Sequence, residues 1–189
     1  DGEEMSKRQL VAAETQRGAI RLSQVNPESD PIDSVGGVSF RHLSMLAQIK
    51  SSDGDVWSSL NRSGHIEGDP SDSLRVRLAR MRSWIGGAHF PEDAKLEIRS
   101  EIGDDARAEI GRDGIAFLRS LSGLLSECEW TDAGIGESIS EACDSTGVSR
   151  KEGFASIYWA IIGRRHGPKA SSLLFEMDRG DIVSLLGSS

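Results

Sequence analysis

The sequence lacks the residues and motifs on which several protein classes depend. Cysteine occurs twice and no Cys-x-x-Cys pair is present, so we predict neither a zinc ribbon nor a redox pair, and we expect two buried, reduced thiols at Cys128 and Cys143. The four histidines are scattered, and no pair has the i,i+4 spacing of metal ligands on a helix. P-loop, dinucleotide-binding and nucleophile-elbow motifs are also missing. These absences favour a binding domain over a domain with its own catalytic site.

Long apolar runs are missing as well. No run approaches the 18 residues of a membrane-spanning helix, so we expect no membrane association. The first four residues, Asp1 to Glu4, lack the basic and apolar regions of a signal peptide, and the chain does not begin with methionine. We therefore expect a cytoplasmic protein that is a fragment or a processed form.

Charge is unevenly distributed along the chain. The 189 residues are 37% hydrophobic and 28% charged, which is ordinary for a globular protein, and the net charge of −8 argues against nonspecific binding of polyanions. Cations are nevertheless concentrated in two segments. Residues 74–84 contain four arginines and no acid, and residues 149–169 contain five lysines and arginines against one glutamate. Two local basic surfaces are therefore predicted on an acidic protein.

Apolar residues recur at helical spacing along most of the chain. No segment alternates apolar and polar residues between hairpin turns. The sequence therefore predicts an all-α fold with little or no sheet, in two packed helical subdomains, residues 1–100 and 101–189. The predicted helices cover residues 3–25, residues 40–50 after Ser39, a segment capped by Asp55, a segment from Ser71 or Ser73 to Gly86, residues 104–127, a segment capped by Thr131, the segment from Ser149 to Gly163, a helix that begins near Pro168, and a last helix capped by Asp181.

The clearest local pattern is a helix–loop–helix near the C-terminus. Ser149 and Glu152 form a capping box, and Gly163 ends the helix because glycine readily takes the left-handed conformation. A short basic loop follows and suits an anionic partner. The alternative is that its cations interact only with the helix dipole, which is worth roughly 0.3–1 kcal/mol. The loop residues that can be cationic are Arg164, Arg165, His166 and Lys169.

The arginine-rich segment predicts a second candidate surface. At 100° per residue, Arg77, Arg80 and Trp84 fall on one flank of the helix, beside the apolar face that includes Leu78 and Met81. This flank could contact phosphates and stack on a base. The alternative is that the arginine stems lie along the edge of the core, with Trp84 packed beneath them.

Several stretches together resemble one family. The sequence from Ile157 to Lys169 resembles the C-terminal signature of class I lysyl-tRNA synthetases, in which a helix ends in a Gly-basic loop followed by Gly-Pro-basic. Other stretches match in the same order, and this collinearity over almost the whole chain is stronger than any single motif. They are Ala19–Gln24, Val38–Leu43, Asn61–Ile66, Arg80–Ile85 and Phe90–Glu92.

The resemblance implies an anticodon-binding α-helix cage that recognises the anticodon loop of lysine tRNA. The catalytic Rossmann-type domain, with its His-Ile-Gly-His and Lys-Met-Ser-Lys-Ser motifs, is missing from this chain. The fragment is therefore expected to need no cofactor, since ATP and Mg²⁺ would bind to the missing catalytic domain, and not to be catalytic alone. Its expected partners are lysine tRNA and that catalytic domain. The residues expected to contact RNA are Arg164, Arg165, His166, Lys169, Arg77, Arg80, Trp84, Arg41 and His42.

Two other interpretations remain open at this point. One is a helical protein-interaction module, and the other is the related anticodon-binding cage of a glutamyl-tRNA synthetase. Affinity for RNA depends steeply on salt because phosphate contacts release counterions, so a salt titration separates RNA binding from protein docking. Exchanging the anticodon separates lysine from glutamate specificity.

Overall fold

A computed structural model describes residues 37–188, and the fold of these residues is all-α, as predicted. Within this range there are eight α-helices, one 3₁₀ turn at Glu92–Ala94, and no strand. The predicted helix at residues 3–25 and the matching stretch Ala19–Gln24 lie outside the described residues, and the division near residue 100 stays a prediction. The helices are α1 Phe40–Ile49, α2 Asp53–Arg62, α3 Asp72–Ile85, α4 Asp104–Glu127, α5 Asp132–Thr146, α6 Arg150–Ile162, α7 Ala170–Phe175 and α8 Arg179–Gly187.

Side-chain caps define where most of these helices begin. Ser39, Thr131 and Ser149 each accept a hydrogen bond from the backbone N–H three residues later, which confirms the predicted caps. The predicted caps Asp55 and Asp181 are wrong. Both are the donors, through their backbone N–H groups, and the side chains that accept are three residues earlier, at Ser52 and Asp178.

Helix α4 forms the centre of the C-terminal packing and contacts α5, α6 and α8. Phe117, Leu118 and Leu121 are fully buried on it, and burying side chains of this size stabilises a fold by about 1.5–3 kcal/mol each. Gly114 is buried against Ser156 of α6, where an added Cβ would collide with the serine side chain, so this glycine permits close helix approach. Gly111 differs from the prediction of one regular helix, because its φ of 67° makes a kink within α4.

Helices α1, α2 and α3 pack together at the other end of the described chain. Their buried residues belong to the same hydrophobic core as those of α4 to α8. A buried carboxylate, Glu176 at the end of α7, also joins the two groups, since it bonds to Ser59 and Arg62 of α2 and lies 3.5 Å from the Nζ of Lys50. The shared hydrophobic core and these polar contacts therefore both join the first three helices to the other five.

Two further predictions concern the burial of the cysteines and the absence of a membrane-spanning helix. Cys143 is buried on α5, whereas Cys128, at the end of α4, is only half-buried, and both thiols are free. Burial raises the pKa of the Cys143 thiol. Within residues 37–188, no helix is both long enough and apolar enough to cross a membrane.

Candidate functional site

A groove of about 930 Å³ with polar and charged walls lies among the described residues. Its walls come from the start of α1, the end of α2, the 3₁₀ turn, the start of α5, the basic loop between α6 and α7, and α7 itself. Segments far apart in sequence therefore meet around one space. The lining residues that bear on function are Phe40, Arg41, His42, Arg62, His65, Asp93, Asp132, Arg164, His166, Lys169, Ser172 and Phe175.

The charge of the groove is opposite in sign to that of the whole chain. Its lining contains four side chains that are always cationic and two acidic side chains, so it has a net positive charge even with its histidines neutral. The chain as a whole carries −8. Low-dielectric walls focus the field of such charges, so the groove favours an anionic ligand.

The basic loop is held in one conformation by contacts at both of its ends. Gly163 has a φ of 62°, in the left-handed region, and an added Cβ there would overlap the guanidinium of Arg99. The backbone N–H of Arg99 donates to the carbonyl of Ile161 at 2.8 Å. At the far end, the hydroxyl of Tyr158 donates to the carbonyl of Pro168 at 2.5 Å. The loop backbone that carries the cations is thus anchored at both ends.

Arg164 fastens the loop to the 3₁₀ turn. Its two terminal nitrogens donate to the backbone carbonyls of Asp93 at 2.5 Å and Glu92 at 2.9 Å. Carbonyl oxygens carry only a partial charge, so these bonds fix the guanidinium without neutralising it. Three of its five N–H groups stay available to a ligand.

Lys169 is ion-paired with Asp132 at the start of α5. The hydroxyl of Ser172 donates to the other carboxylate oxygen of Asp132 at 2.8 Å. Burial by itself would raise the pKa of Asp132, but the hydrogen bonds from Lys169, Ser172 and Ser171 together hold it below its usual value of 3.8. This pair compensates part of the positive charge of the groove.

The four predicted loop residues do not all face the same space. Arg164, His166 and Lys169 line the groove, whereas Arg165 lines a smaller pocket of about 340 Å³ beside Lys151 and the exposed ring of Phe154. His166 lies between the two spaces and lines both. An extended ligand that passes over the loop could therefore contact cations on both sides of the loop.

Two histidines are stacked at the edge of the groove. The rings of His42 and His65 lie 4.4 Å apart and 13° from parallel. Burial lowers the pKa of His42 below its usual value of 6.5, the neighbouring His65 lowers it further, and Asp132 acts in the opposite direction. The Nε2 atom of His42 is buried and has no hydrogen-bond partner among the described residues. A buried polar atom without a partner costs about 1–3 kcal/mol of stability.

The predicted surface on one flank of α3, formed by Arg77, Arg80 and Trp84 and called the α3 flank below, lies outside the lining of the groove. Arg77 donates to the carbonyl of Val38 at 3.4 Å, and Arg80 is exposed. Trp84 is 41% exposed and packs edge-on against Phe90, with ring centroids 4.8 Å apart. Its ring also lies 5.9 Å from that of Phe40, which does line the groove.

Of the remaining predicted residues, Arg41 is exposed and lines the groove beside His42. The structure thus brings together Arg41, His42, Arg164, His166 and Lys169, leaves Arg165 across the loop, and places Arg77, Arg80 and Trp84 on the adjoining surface.

Sequence analysis missed several side chains of the groove, among them Arg62, His65 and Phe175. Arg62 and His65 lie within the matching stretch Asn61–Ile66, so that resemblance was a signal that could have identified them. No sequence pattern marked Phe175 as a site residue, because an apolar residue at helical spacing is equally typical of the core. Among residues 37–188, no three histidine, cysteine or acidic side chains come close enough to hold a metal ion.

The fold and the groove together define an all-α domain whose positively charged concavity favours an anionic ligand. No family model matches the chain. Comparison with known proteins gives a more particular result. The chain is similar to archaeal lysine–tRNA ligases along most of its length, which confirms the resemblance drawn from the sequence.

Three relatives illustrate this similarity. The lysine–tRNA ligase of Pyrococcus horikoshii is 25% identical over 176 residues, which cover 88% of this chain and 32% of that protein. That of Methanopyrus kandleri is 28% identical, over 92% of this chain and 33% of its own length. That of Aeropyrum pernix is 27% identical, over 85% and 30%. The chain therefore spans about a third of the length of the relatives it matches.

Proposed function

We propose that this chain is the anticodon-binding part of a class I lysine–tRNA ligase and that the groove holds the anticodon loop of lysine tRNA. One observation carries the proposal. Three separate segments, at residues 38–43, 61–66 and 157–169, resemble that family, and all three line the same positively charged groove. Similarity to archaeal lysine–tRNA ligases over most of the chain supports it.

The chemistry of the groove suits unpaired RNA. Proteins read single-stranded RNA by splaying its bases out, stacking them on aromatic or guanidinium planes, and bonding to their Watson–Crick edges. Under the proposal, Arg41 and Arg164 contact backbone phosphates, because their charges are not compensated by a carboxylate in the described structure. Lys169 adds a weaker contact, since Asp132 shares its charge.

His42 has the properties of a base-reading residue. Its depressed pKa keeps the ring neutral near pH 7, so one ring nitrogen donates and the other accepts a hydrogen bond. Under the proposal, this neutral ring, which lines the groove beside Arg41, faces a base of the anticodon loop. Under the proposal, Trp84 and Arg77 with Arg80 form an outer contact surface next to Phe40, and Arg165 and His166 continue the path across the loop.

The complete protein is proposed to be a lysine–tRNA ligase that works in the cytoplasm. Its catalytic domain, which would bind ATP and Mg²⁺, is a proposed partner of this chain. The 189-residue chain alone is proposed to bind tRNA without charging it.

A titration of the chain with anticodon stem-loops tests the proposal. We expect the lysine stem-loop to bind more tightly than the glutamate stem-loop, and we expect affinity to fall steeply with salt, by about 0.7 in log–log slope for each phosphate contacted. Fluorescence anisotropy at several salt concentrations measures both quantities. A stem-loop of the same length with a scrambled loop is the control.

Two results would contradict the proposal in different ways. Equal affinity for all three stem-loops would remove anticodon recognition, and tighter binding of the glutamate stem-loop would point to the related glutamate-specific cage. Absence of RNA binding by a folded chain would leave the protein-interaction module as the better interpretation.

A further inference from the structure

Arg62, at the C-terminal end of α2, is held in place from two sides. Its Nη2 donates to the Oε2 of Glu176 at 3.0 Å and lies 3.4 Å from the Oγ of Ser59. Its Cζ lies over the ring of Phe175, 4.8 Å from the centroid. A guanidinium fixed by a carboxylate at one edge and a ring beneath one face has a defined plane.

The carboxylate that holds Arg62 is part of the protein interior. The side chain of Glu176 is fully buried, and it also accepts a hydrogen bond from Ser59 and lies near Lys50. A buried charge is tolerated only when it is paired, so Glu176 has little freedom to move or to release its partners. It therefore acts as a rigid anchor for the guanidinium.

Arg62 nevertheless stays accessible. Its side chain is 53% exposed, although one face is covered by Phe175. Phe175 therefore covers only part of this side chain, and the rest is open to solvent. Both Arg62 and Phe175 line the groove, next to the stacked pair His42 and His65. An open, oriented cationic plane is thus presented to whatever the groove binds.

From these contacts we infer that the guanidinium of Arg62 is a stacking platform for one unpaired nucleobase, and that Glu176 is the positioning residue that orients it. Bases stack on arginine planes as well as on aromatic rings, and a plane fixed in advance loses less conformational freedom on binding. The base would form the third layer on Phe175 and Arg62. This inference rests on the proposed function, since it assigns one subsite within the same groove.

Arg62→Lys is the central test, because lysine keeps the positive charge and removes the plane. The 189-residue chain is titrated with lysine anticodon stem-loops in which one loop nucleotide at a time is 2-aminopurine, whose fluorescence reports stacking. We expect about a tenfold loss of affinity, within the range of single stacking contacts. We also expect an unchanged salt slope and an altered fluorescence signal at one nucleotide. Arg112→Lys, on the exposed surface of α4 and outside the groove, is the matched control and should change nothing.

Glu176→Gln tests the positioning role. Glutamine keeps the shape of the side chain and removes its charge, so we expect a smaller loss of affinity, about threefold, with the fluorescence change at the same nucleotide as in Arg62→Lys. In the double variant, Glu176→Gln should add no further loss, because its effect acts through Arg62. Circular dichroism identifies unfolded variants, and Ser59→Ala, which removes another bond to Glu176, replaces Glu176→Gln if that variant does not fold.

Each possible result decides the inference. If Arg62→Lys binds like the unchanged chain, or if it lowers only the salt slope, the stacking platform is wrong while the proposed function survives. If the effects of the two substitutions simply add, Glu176 does not position Arg62. If the unchanged chain binds no stem-loop, the proposed function and this inference both fail.

Discussion

The groove and the α3 flank both carry arginines, but they hold them differently. In the groove, Arg164 is fixed by two backbone carbonyls and Arg62 by a buried carboxylate. On the flank, Arg80 is exposed and has no hydrogen-bond partner among the described residues, and Arg77 reaches one carbonyl at the long distance of 3.4 Å. Ordering a free side chain on binding costs about 0.5–1.5 kcal/mol, so equal charges on the two surfaces are unequal in binding strength.

The two surfaces also differ in the exposure of an aromatic residue, Phe175 in the groove and Trp84 on the α3 flank. Phe175 lies under Arg62 and is only 8% exposed, so it supports another group without meeting the ligand. Trp84 is 41% exposed and is supported by Phe40 and Phe90. In the groove, a buried ring therefore supports the side chain that faces the ligand. The α3 flank is instead an exposed surface that a long ligand could reach after filling the groove.

The largest expected effect concerns the loop that carries the groove cations. Gly163→Ala forces a left-handed φ on a residue with a Cβ and displaces Arg99, so we expect the free energy of unfolding to fall by about 2 kcal/mol. Chemical denaturation measures this change. Gly136→Ala is the matched control, since Gly136 lies within α5 with open space around it, and alanine there should stabilise the chain by about 0.5–1 kcal/mol. Equal stability of the two variants would show that the loop is not a rigid support.

Removal of two charges from each surface compares them directly. We expect Arg41→Gln/Arg164→Gln to weaken binding of the lysine stem-loop about tenfold at roughly 0.1 M salt, with a salt slope lower by about 1.4. Arg77→Gln/Arg80→Gln should weaken it less than about threefold, because those side chains are less ordered. Anisotropy titrations at several salt concentrations measure both pairs. The reverse order would make the α3 flank the main RNA surface.

The smallest expected effect is the change in folding stability with pH that arises from His42 in the groove. Its pKa is below 6.5 in the folded chain, so between that value and 6.5 the unfolded chain binds more protons than the folded one. Stability should therefore decline as the pH falls from about 7, and the decline should stop once the pH is below the folded pKa. Thermal unfolding between pH 7 and 5 should show a shallower decline for His42→Gln.

His89→Gln is the control for that measurement, since His89 is exposed and lies outside the groove. It should leave the pH profile unchanged. A profile that is the same for His42→Gln and the unchanged chain would mean that the stacked histidines do not disfavour protonation.

Much of the local structure was predictable because it depends on near neighbours. Ser39, Thr131 and Ser149 cap their helices through bonds to residues three positions away, and Gly163 ends α6 through its own φ. The caps at Asp55 and Asp181 were mispredicted by three residues, because serine and aspartate are both good caps and each region offers several of them. Propensity alone does not choose between such neighbours.

The sequence by itself determined that residues 37–188 form helices, where most of these helices begin and end, that a basic loop follows Gly163, and that the chain resembles lysine–tRNA ligases. These properties follow from apolar periodicity, local hydrogen bonds and the order of short motifs. Only the tertiary structure decided that His42 stacks on His65, that the buried Glu176 pairs with Arg62, and that Arg165 lies outside the groove lining. The physical reason is that such contacts join residues that are distant in sequence, as Arg62 and Glu176 are at 114 positions apart, and packing of the whole core brings them together.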